Sequence, residues 1–328
     1  MTKPTTKPAR KTCPQTPSKK HLAVMQGADT DRALGHVLVT GASGFLGRAL
    51  VARIKAQGGR ATGLTRQDVD QRDARAVHAM LGRIQPDIVI DAAGVTPGRG
   101  DVGDNVTMTQ CWVDAIAGLD RAPRLVFVGS AAVFGGGAAQ DRATREDDPM
   151  LPTSDYGRAK LEALQIATAA AETGSDMQVG IVFNLMGAGQ PDHLAPQVFV
   201  RRALETPKGK TYDVGPVGAV RDFMDIHDAA DALIALARYG RPGTVVNIAT
   251  GHATRIGDIL ALLKSRLGVD WVSQGNANDA RGDYACFGDP TRLMQMTGWA
   301  PRLDLETALD QIIEMTRQSI QKDTRTAS

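Results

Sequence analysis

The chain has 328 residues, 42% of them hydrophobic and 23% charged, with a formal net charge of +2. That make-up suits an ordinary globular protein large enough for one sizeable α/β domain and a smaller lobe. So small a net charge gives no basis for nucleic-acid binding, and no apolar run is long enough to span a bilayer. Cys13, Cys111 and Cys286 form neither a CxxC pair nor a disulfide framework, which fits a reducing cytosol, so a cytoplasmic location is expected. The histidines lack HxxxH or HExxH spacing, and no metal site is expected.

Residues 1–34 stand apart. Lys3, Lys7, Arg10, Lys11, Lys19 and Lys20 are mixed with prolines and threonines, and no apolar h-region marks a secretory signal. So little apolar surface predicts a disordered basic tail. A tether to an anionic surface is the alternative, and Met25 is a second candidate start.

From residue 35 the pattern changes. Val37-Leu38-Val39 is a short apolar strand feeding Thr40-Gly41-Ala42-Ser43-Gly44-Phe45-Leu46-Gly47. Leu46, Ala49, Leu50 and Ile54 form the stripe of a helix that runs to about Gln57. Glycines three residues apart suit a tight turn, a close approach of the backbone to a pyrophosphate, and close packing of the helix on the sheet. The helix start offers unpaired N–H groups and a positive dipole end to phosphate. Gly41, Ser43, Gly44, Phe45, Leu46 and Gly47 are therefore candidate dinucleotide contacts; a glycine turn without a ligand is the alternative.

Arg60 to Thr65 reads as a second strand. In this architecture its tip faces the adenine ribose, where a carboxylate would select NAD. The tip reads Thr65-Arg66, without a carboxylate, and the Arg66 guanidinium matches a 2′-phosphate. NADP is the expected cofactor, NAD the alternative, and Asp68 and Val69 are placed at the adenine edge. A helix from Arg72 to Arg83 leads to a strand from Asp87 to Asp91. Ala92-Ala93-Gly94 follows, small residues that let a cofactor lie against the backbone. A helix from Asn105 to about Leu119 precedes a strand from Arg124 to Gly129. Strands and helices alternating with short links predict an α/β fold, a doubly wound parallel sheet with right-handed crossovers.

The strand ending at Gly129 delivers Ser130-Ala131-Ala132-Val133-Phe134-Gly135. Tyr156 and Lys160, four residues apart at the start of a helix running to about Glu172, project from one face. An ammonium beside a phenol is expected to lower the Tyr156 pKa, making it a general acid or base near neutral pH. Ser130 is placed to hydrogen-bond the reacting oxygen. Tyr-x-x-x-Lys alone is a weak signal. With the glycine turn upstream and Ser130 at a strand end between them, it singles out Ser130, Tyr156 and Lys160 as catalytic.

Together these segments resemble the extended short-chain dehydrogenase/reductases. Residues 40–47 are similar to their TGxxGxxG turn, Ser130 with Val133-Phe134-Gly135 to their Ser-x-x-Val-Tyr-Gly segment, and Tyr156 with Lys160 to their YxxxK. The resemblance spans about Gly35 to Arg317. Three later segments resemble the GDP-4-keto-6-deoxymannose (GDP-6-deoxy-D-mannose) reductases. Val182-Phe183-Asn184-Leu185-Met186-Gly187-Ala188-Gly189-Gln190 is similar to RPFNxxGPGQ. Val214-Gly215 with Arg221-Asp222-Phe223-Met224-Asp225-Ile226-His227-Asp228 is similar to VG…RDFxDVxD. Gly288-Asp289-Pro290-Thr291-Arg292-Leu293 with Thr297-Gly298-Trp299-Ala300-Pro301 is similar to GDxxRL…TGWxP.

The resemblance implies a dinucleotide-binding Rossmann domain over residues 35–183, with 244–250 returning to its sheet, and a substrate-binding lobe mainly over 184–328. It implies that Tyr156, Lys160 and Phe183 touch the cofactor, with Ala92, Ala93 and Gly94 beside it. It places Asn184 and Ser130 on a nucleotide-diphosphate sugar and Arg221 near its phosphates, and it implies a homodimer. An amide suits sugar oxygens and an arginine fork suits a diphosphate; an ion pair of Arg221 with Asp222 or Asp225 is the alternative. Four departures fall where sugar or base is expected to be read. Ile181 replaces an arginine, Phe134 replaces a tyrosine, the loop Val95 to Asp104 is short, and Asp279 to Phe287 holds only Arg281 as a base. A last helix from Glu306 to about Gln318 shows a core-packing stripe at Leu305, Ala308, Leu309, Ile312 and Ile313.

The activity implied is reduction of a 4-keto-6-deoxy sugar at C4, with hydride from NADPH and a proton from Tyr156. The rivals are a nucleotide-sugar 4-epimerase with retained NAD and a non-catalytic dinucleotide-binding regulator. A dehydratase would carry Asp-Glu where this chain has Ala131-Ala132.

Overall fold

Through residue 182 strand and helix alternate. The order is β1 (His36–Val39), α1 (Phe45–Ala56), β2 (Arg60–Gly63), α2 (Ala74–Ile84), β3 (Ile88–Asp91), α3 (Asp104–Ala117), β4 (Arg124–Ser130), α4 (Asp155–Glu172) and β5 (Met177–Val182). Next come β6 (Asn184–Met186), α5 (Ala195–Glu205), β7 (Thr211–Val214), β8 (Val220–Arg221), β9 (Phe223–Asp225), α6 (Ile226–Tyr239) and β10 (Val245–Ile248). The described chain closes with β11 (Thr254–Arg255), α7 (Ile256–Leu267), β12 (Asp270–Ser273), β13 (Ala285–Cys286), α8 (Thr291–Thr297) and α9 (Leu305–Thr326). This computed structural model describes residues 34–274 and 285–326; the expected basic tail and Arg281 lie outside the described residues.

Six strands make one sheet in the order β2-β1-β3-β4-β5-β10, every neighbouring pair parallel. The fold is α/β with a doubly wound parallel sheet. Its direction of travel reverses between β1 and β3, the crevice where open α/β sheets take ligands. β1, β3, β4 and β5 are short and almost wholly buried, as parallel strands between helix layers must be, while the edge strand β2 is partly exposed. Alternation sends Val37, Val39, Ile90 and Val126 to one face, where Leu50 and Ile54 of α1 and Leu233 and Leu236 of α6 cover them. Leu38, Val89, Leu125 and Phe127 go to the other, under Val77 and Leu81 of α2, Trp112 and Ile116 of α3, and Leu164 of α4.

A third core lies among later elements. Phe199 and Val200 of α5, Ile259 and Leu263 of α7, and Leu309 and Ile312 of α9 pack there with Tyr212 and Phe223. Three small sheets serve this part: β11-β8-β13, β7-β12 and β6-β9. Three bounds differ from the sequence reading. β2 stops at Gly63, which leaves Thr65 and Arg66 in the turn beyond it. α2 begins at Ala74 because the Asp73 carboxylate caps it, accepting from the N–H groups of Arg75 and Ala76 at 2.9 and 3.2 Å. α9 continues to Thr326.

Candidate active site

The strand ends gather at the crevice. Thr40, just after β1, donates its N–H to the Ile90 carbonyl at 3.1 Å and its hydroxyl to Asp91 Oδ1 at 2.6 Å. The same hydroxyl accepts from Ala93 N at 2.8 Å, which stitches the glycine turn to Ala92-Ala93-Gly94. Gly41 sits at φ 61°. A Cβ on Gly47 would stand 2.6 Å from the Gly41 carbonyl carbon and 2.9 Å from Ala42 Cα. The missing side chain therefore lets α1 start hard against the turn. Gly44 caps α1 without a side chain, and no acidic residue lies in the first turn. The first N–H groups of α1 are thus left for an anion. Ser43 and Gly44 are exposed beside half-buried Phe45 and Leu46. A cradle that a single Cβ would fill fits a dinucleotide pyrophosphate. Sequence reasoning missed Arg48, whose guanidinium donates to the carbonyls of Ser43 at 2.7 Å and Gly189 at 3.3 Å, tying the turn to the loop after β6.

Arg66 is exposed in the turn after β2. The expectation that this tip lacks a carboxylate needs correction. Asp68 folds back and accepts from Thr65 Oγ1 at 2.6 Å and Thr65 N at 2.7 Å, because an aspartate caps a turn through its own backbone neighbours. Those bonds hold its carboxyl below the usual range. Val69 packs against the α2–α3–α4 core.

Ser130 ends β4, and its hydroxyl accepts from Ala132 N at 3.3 Å. Ser154 caps α4, accepting from Gly157 N at 3.0 Å. A Cβ on Gly157 would stand 2.6 Å from the Ala132 carbonyl oxygen. The bare glycine therefore lets α4 begin against the turn Ala131–Val133, which brings Tyr156 to Ser130. The Tyr-Gly pair in the motif was the available signal for that close approach. Burial pushes the Tyr156 pKa up, and a hydrogen bond from Ser130 opposes it in part.

One turn on, Lys160 is 5% exposed. Its Nζ donates to the Val128 carbonyl at 2.9 Å and stands 4.8 Å from the centre of the Phe127 ring. Burial lowers its pKa to about 8, opposed by the charge of Asp91. The expected lowering of the Tyr156 pKa by Lys160 is corrected accordingly. Burial dominates at the phenol, and the ammonium interacts with Asp91.

Ser130, Tyr156, Phe183, Asn184, Arg221 and Cys286 line one cleft of about 220 Å³. A second pocket of about 320 Å³ shares Asn184 and Arg221 and adds Gln190, Leu194, Pro196 and Phe223. The structure thus brings together Ser130, Tyr156, Phe183, Asn184 and Arg221; Arg66, Asp68 and Val69 are elsewhere. The Arg221 guanidinium donates to the Val220 carbonyl at 2.9 Å.

The sequence reading gives Asp222 only as an ion-pair alternative for Arg221. Asp222 is fully buried, and its carbonyl accepts Asn184 N at 3.1 Å. Its carboxylate accepts from Thr250 Oγ1 at 2.8 Å, Gly251 N at 2.9 Å and Thr250 N at 3.0 Å. Burial still pushes its pKa up to about 6. Cys286 pairs across from Arg221, and burial drives its thiol up to about 11.

Two departures from the reductase pattern do not line the cleft. Ile181 is fully buried on the face of β5 that α4 covers. Phe134 is equally buried, its ring centre 6.0 Å from that of Phe183. Among the described residues no group of three or more His, Cys, Asp or Glu is placed to hold a metal, and no helix is long and apolar enough to cross a membrane.

Residues 37–249 match the NAD dependent epimerase/dehydratase family. The chain belongs to that family. It is an NAD(P)-dependent enzyme of the extended short-chain dehydrogenase/reductase type, in a family of nucleotide-sugar oxidoreductases and epimerases. A dTDP-6-deoxy-L-talose 4-dehydrogenase (NAD(P)(+)) of Kitasatospora kifunensis is 31% identical over 307 residues, covering 85% of this chain and 95% of the relative. A GDP-6-deoxy-D-mannose reductase of Pseudomonas aeruginosa is 26% identical over 294 residues, covering 84% and 95%. The solved structure of RMD from Pseudomonas aeruginosa complexed with NADPH superposes with a TM-score of 0.76 at 24% identity, covering 87% of this chain and 99% of that one. At that identity the likeness is one of fold.

Proposed function

We propose that this epimerase/dehydratase family enzyme reduces a 4-keto-6-deoxy sugar carried on a nucleoside diphosphate, at C4, with NADPH preferred. One observation carries the reading: Tyr156 and Ser130 face the same cleft as Asn184 and Arg221. An acid, a hydrogen-bonding hydroxyl, an amide and an arginine fork then meet within one substrate's length. The two relatives named above support the position on the sugar, one by its name a 4-dehydrogenase of a dTDP-6-deoxy sugar and the other a GDP-6-deoxy-sugar reductase.

Gly41 to Gly47 and the start of α1 would hold the pyrophosphate of the dinucleotide, Ala92 to Gly94 would flank it, and Arg66 would take a 2′-phosphate. When bound, the cofactor supplies the hydride that C4 accepts. Tyr156 gives its phenolic proton to the carbonyl oxygen, so ketone becomes alcohol. A phenol held protonated by burial suits that direction. Ser130 hydrogen-bonds the same oxygen and orients it. Lys160, one turn on from Tyr156, would hold the cofactor ribose. Asn184 would hold the sugar and Arg221 the diphosphate.

The test is NADPH and NADH oxidation, followed by absorbance, with GDP-4-keto-6-deoxymannose and its dTDP-linked counterpart. Net NADPH consumption is expected with one of the two. Interconversion of the corresponding C4 alcohols, supplied as the 6-deoxy sugar nucleotides, without net cofactor turnover would overturn the reading in favour of an epimerase. Tight cofactor binding without turnover of any sugar would favour the regulator.

A further inference from the structure

A buried lysine is a costly cation unless an anion stands near it. Lys160 lies under the cleft and not in its wall. Of its three donor positions, one goes to the Val128 carbonyl at 2.9 Å, and the Phe127 ring lies 4.8 Å away. Phe127 pairs directly across β4–β3 with Asp91, so the carboxylate at the end of β3 neighbours the ring over which the ammonium from α4 lies. Asp91 is itself 4% exposed. Its Oδ1 takes the Thr40 hydroxyl at 2.6 Å, and that hydroxyl also receives Ala93 N at 2.8 Å. On the far side of the ammonium, a Cβ at Gly94 would lie 3.7 Å from Nζ and 3.2 Å from Asn105 Oδ1.

We propose that Asp91 is a positioning residue for the reaction: it keeps Lys160 charged and seated beneath Tyr156, and Thr40 locks it to the cofactor-binding turn. The inference rests on the reading of Tyr156 and Lys160 as the catalytic pair. Asp91 is the charged neighbour that opposes loss of the Lys160 proton, and Lys160 is the one that opposes protonation of Asp91. Tyr156, one turn back on α4, is the titratable group on the cleft side, and it stays neutral to high pH. Without the carboxylate, burial acts on Lys160 unopposed. Its proton would then leave within the working pH range, and the proposed catalytic pair would lose its cation.

The test follows Lys160 directly by carbon NMR of full-length protein labelled at lysine Cε, with Lys160→Met assigning the resonance. Asp91→Asn keeps an oxygen for the Thr40 hydroxyl and removes only the charge. The Lys160 midpoint is expected to fall by about one pH unit or more in Asp91→Asn, as loss of an adjacent opposite charge requires. An unmoved midpoint overturns the proposal. Should Asp91→Asn not fold, Lys160→Met gives the reciprocal reading: the carboxylic-acid infrared band of Asp91 should persist to higher pH than in the parent, and a band titrating as before overturns the proposal. Neither measurement needs substrate, so a wrong sugar cannot be mistaken for a wrong partner. Once a substrate is found, Asp91→Asn should move the alkaline fall of kcat to lower pH while leaving kcat at low pH near that of the parent. A uniform loss at every pH would mark the carboxylate as merely structural.

Discussion

Gly47→Ala puts one methyl group where the start of α1 meets the turn. Alanine is the better helix former, worth about 1 kcal/mol over glycine in a helix. Against that gain, the new Cβ would sit 2.6 Å from the Gly41 carbonyl carbon and closer still to its oxygen, where real contacts do not fall below 3.0 Å. The turn or the helix must therefore give way by at least 0.4 Å, and both sides are backbone. Overpacking of this kind costs about 1–3 kcal/mol, which outweighs the helix gain. The displaced atoms belong to the phosphate cradle itself, so the loss falls on cofactor affinity as well as stability. Each 1.4 kcal/mol or so is a factor of about 10 in Kd. Calorimetric titration with NADPH and NADH should show Kd raised about 10-fold or more, together with a lower Tm. Gly82→Ala is the control, since nothing lies within 4 Å of a Cβ at that position in α2. There the propensity gain should appear as a raised Tm with Kd unchanged. Unaltered cofactor affinity in Gly47→Ala would refute the reasoning.

The other substitutions probe separate links. Tyr156→Phe removes the proton donor, and turnover should fall roughly 100- to 10,000-fold with NADPH affinity retained; near-normal turnover would sink the assignment. Arg66→Ala should cut the preference for NADPH over NADH by about 10- to 100-fold, the worth of a charge-assisted contact to phosphate. An unchanged ratio would hand cofactor choice to Asp68. Asp222 has a folded pKa of about 6, above the 3.8 of the free carboxyl. Its folded form holds a proton that the unfolded form has lost, so the stability it contributes is fully present below pH 3.8 and is lost as pH rises through 6. The melting temperature of the parent should therefore decline relative to Asp222→Asn between those values, by the equivalent of at most about 3 kcal/mol. Parallel curves in the two proteins would exclude Asp222 as the titrating group.

β1, β3 and β4 were readable because they are largely apolar runs of four to seven residues, punctuated by glycine and proline. Their ends blurred where side-chain capping decides the boundary, as Asp73 does for α2. Gly41, Ser130 and Tyr156 announce themselves because their chemistry lies in fixed local spacing. Asp91, Asp222 and Arg48 do not, since each ties its segment to a partner far along the chain. Asp91 bonds Thr40, 51 residues away, and Asp222 bonds Thr250, 28 residues away. The mistaken direction for Tyr156 has the same origin. Four-residue spacing shows that two side chains share a helical face, but burial, which rules that phenol, is a property of the assembled fold.

The buried departures from the reductase pattern bear on how substrate choice is built. Ile181, Phe134, Phe183 and Cys286 belong to one core cluster. Phe183 stands on its inner edge, packed on Phe134 and lining the cleft on its other side. Gly288 closes the unit, for a Cβ there would lie 2.6 Å from the Phe183 ring. An isoleucine in this setting cannot read a sugar, but it supports the ring that forms the cleft floor. Aromatic packing against aliphatic neighbours needs no polar partner, whereas a buried arginine or tyrosine would require one. On the proposed reading, discrimination among nucleotide sugars would come from side chains that reach the open space, namely Asn184, Arg221 and the walls of the second pocket around Leu194, Pro196 and Phe223. Most of those walls are apolar, and apolar walls sort bases by size and shape more than by hydrogen-bond pattern. On the proposed reading, the chemistry at C4 and the choice of nucleotide would therefore be set by different segments, the first by β4 and α4 and the second by the chain after β5.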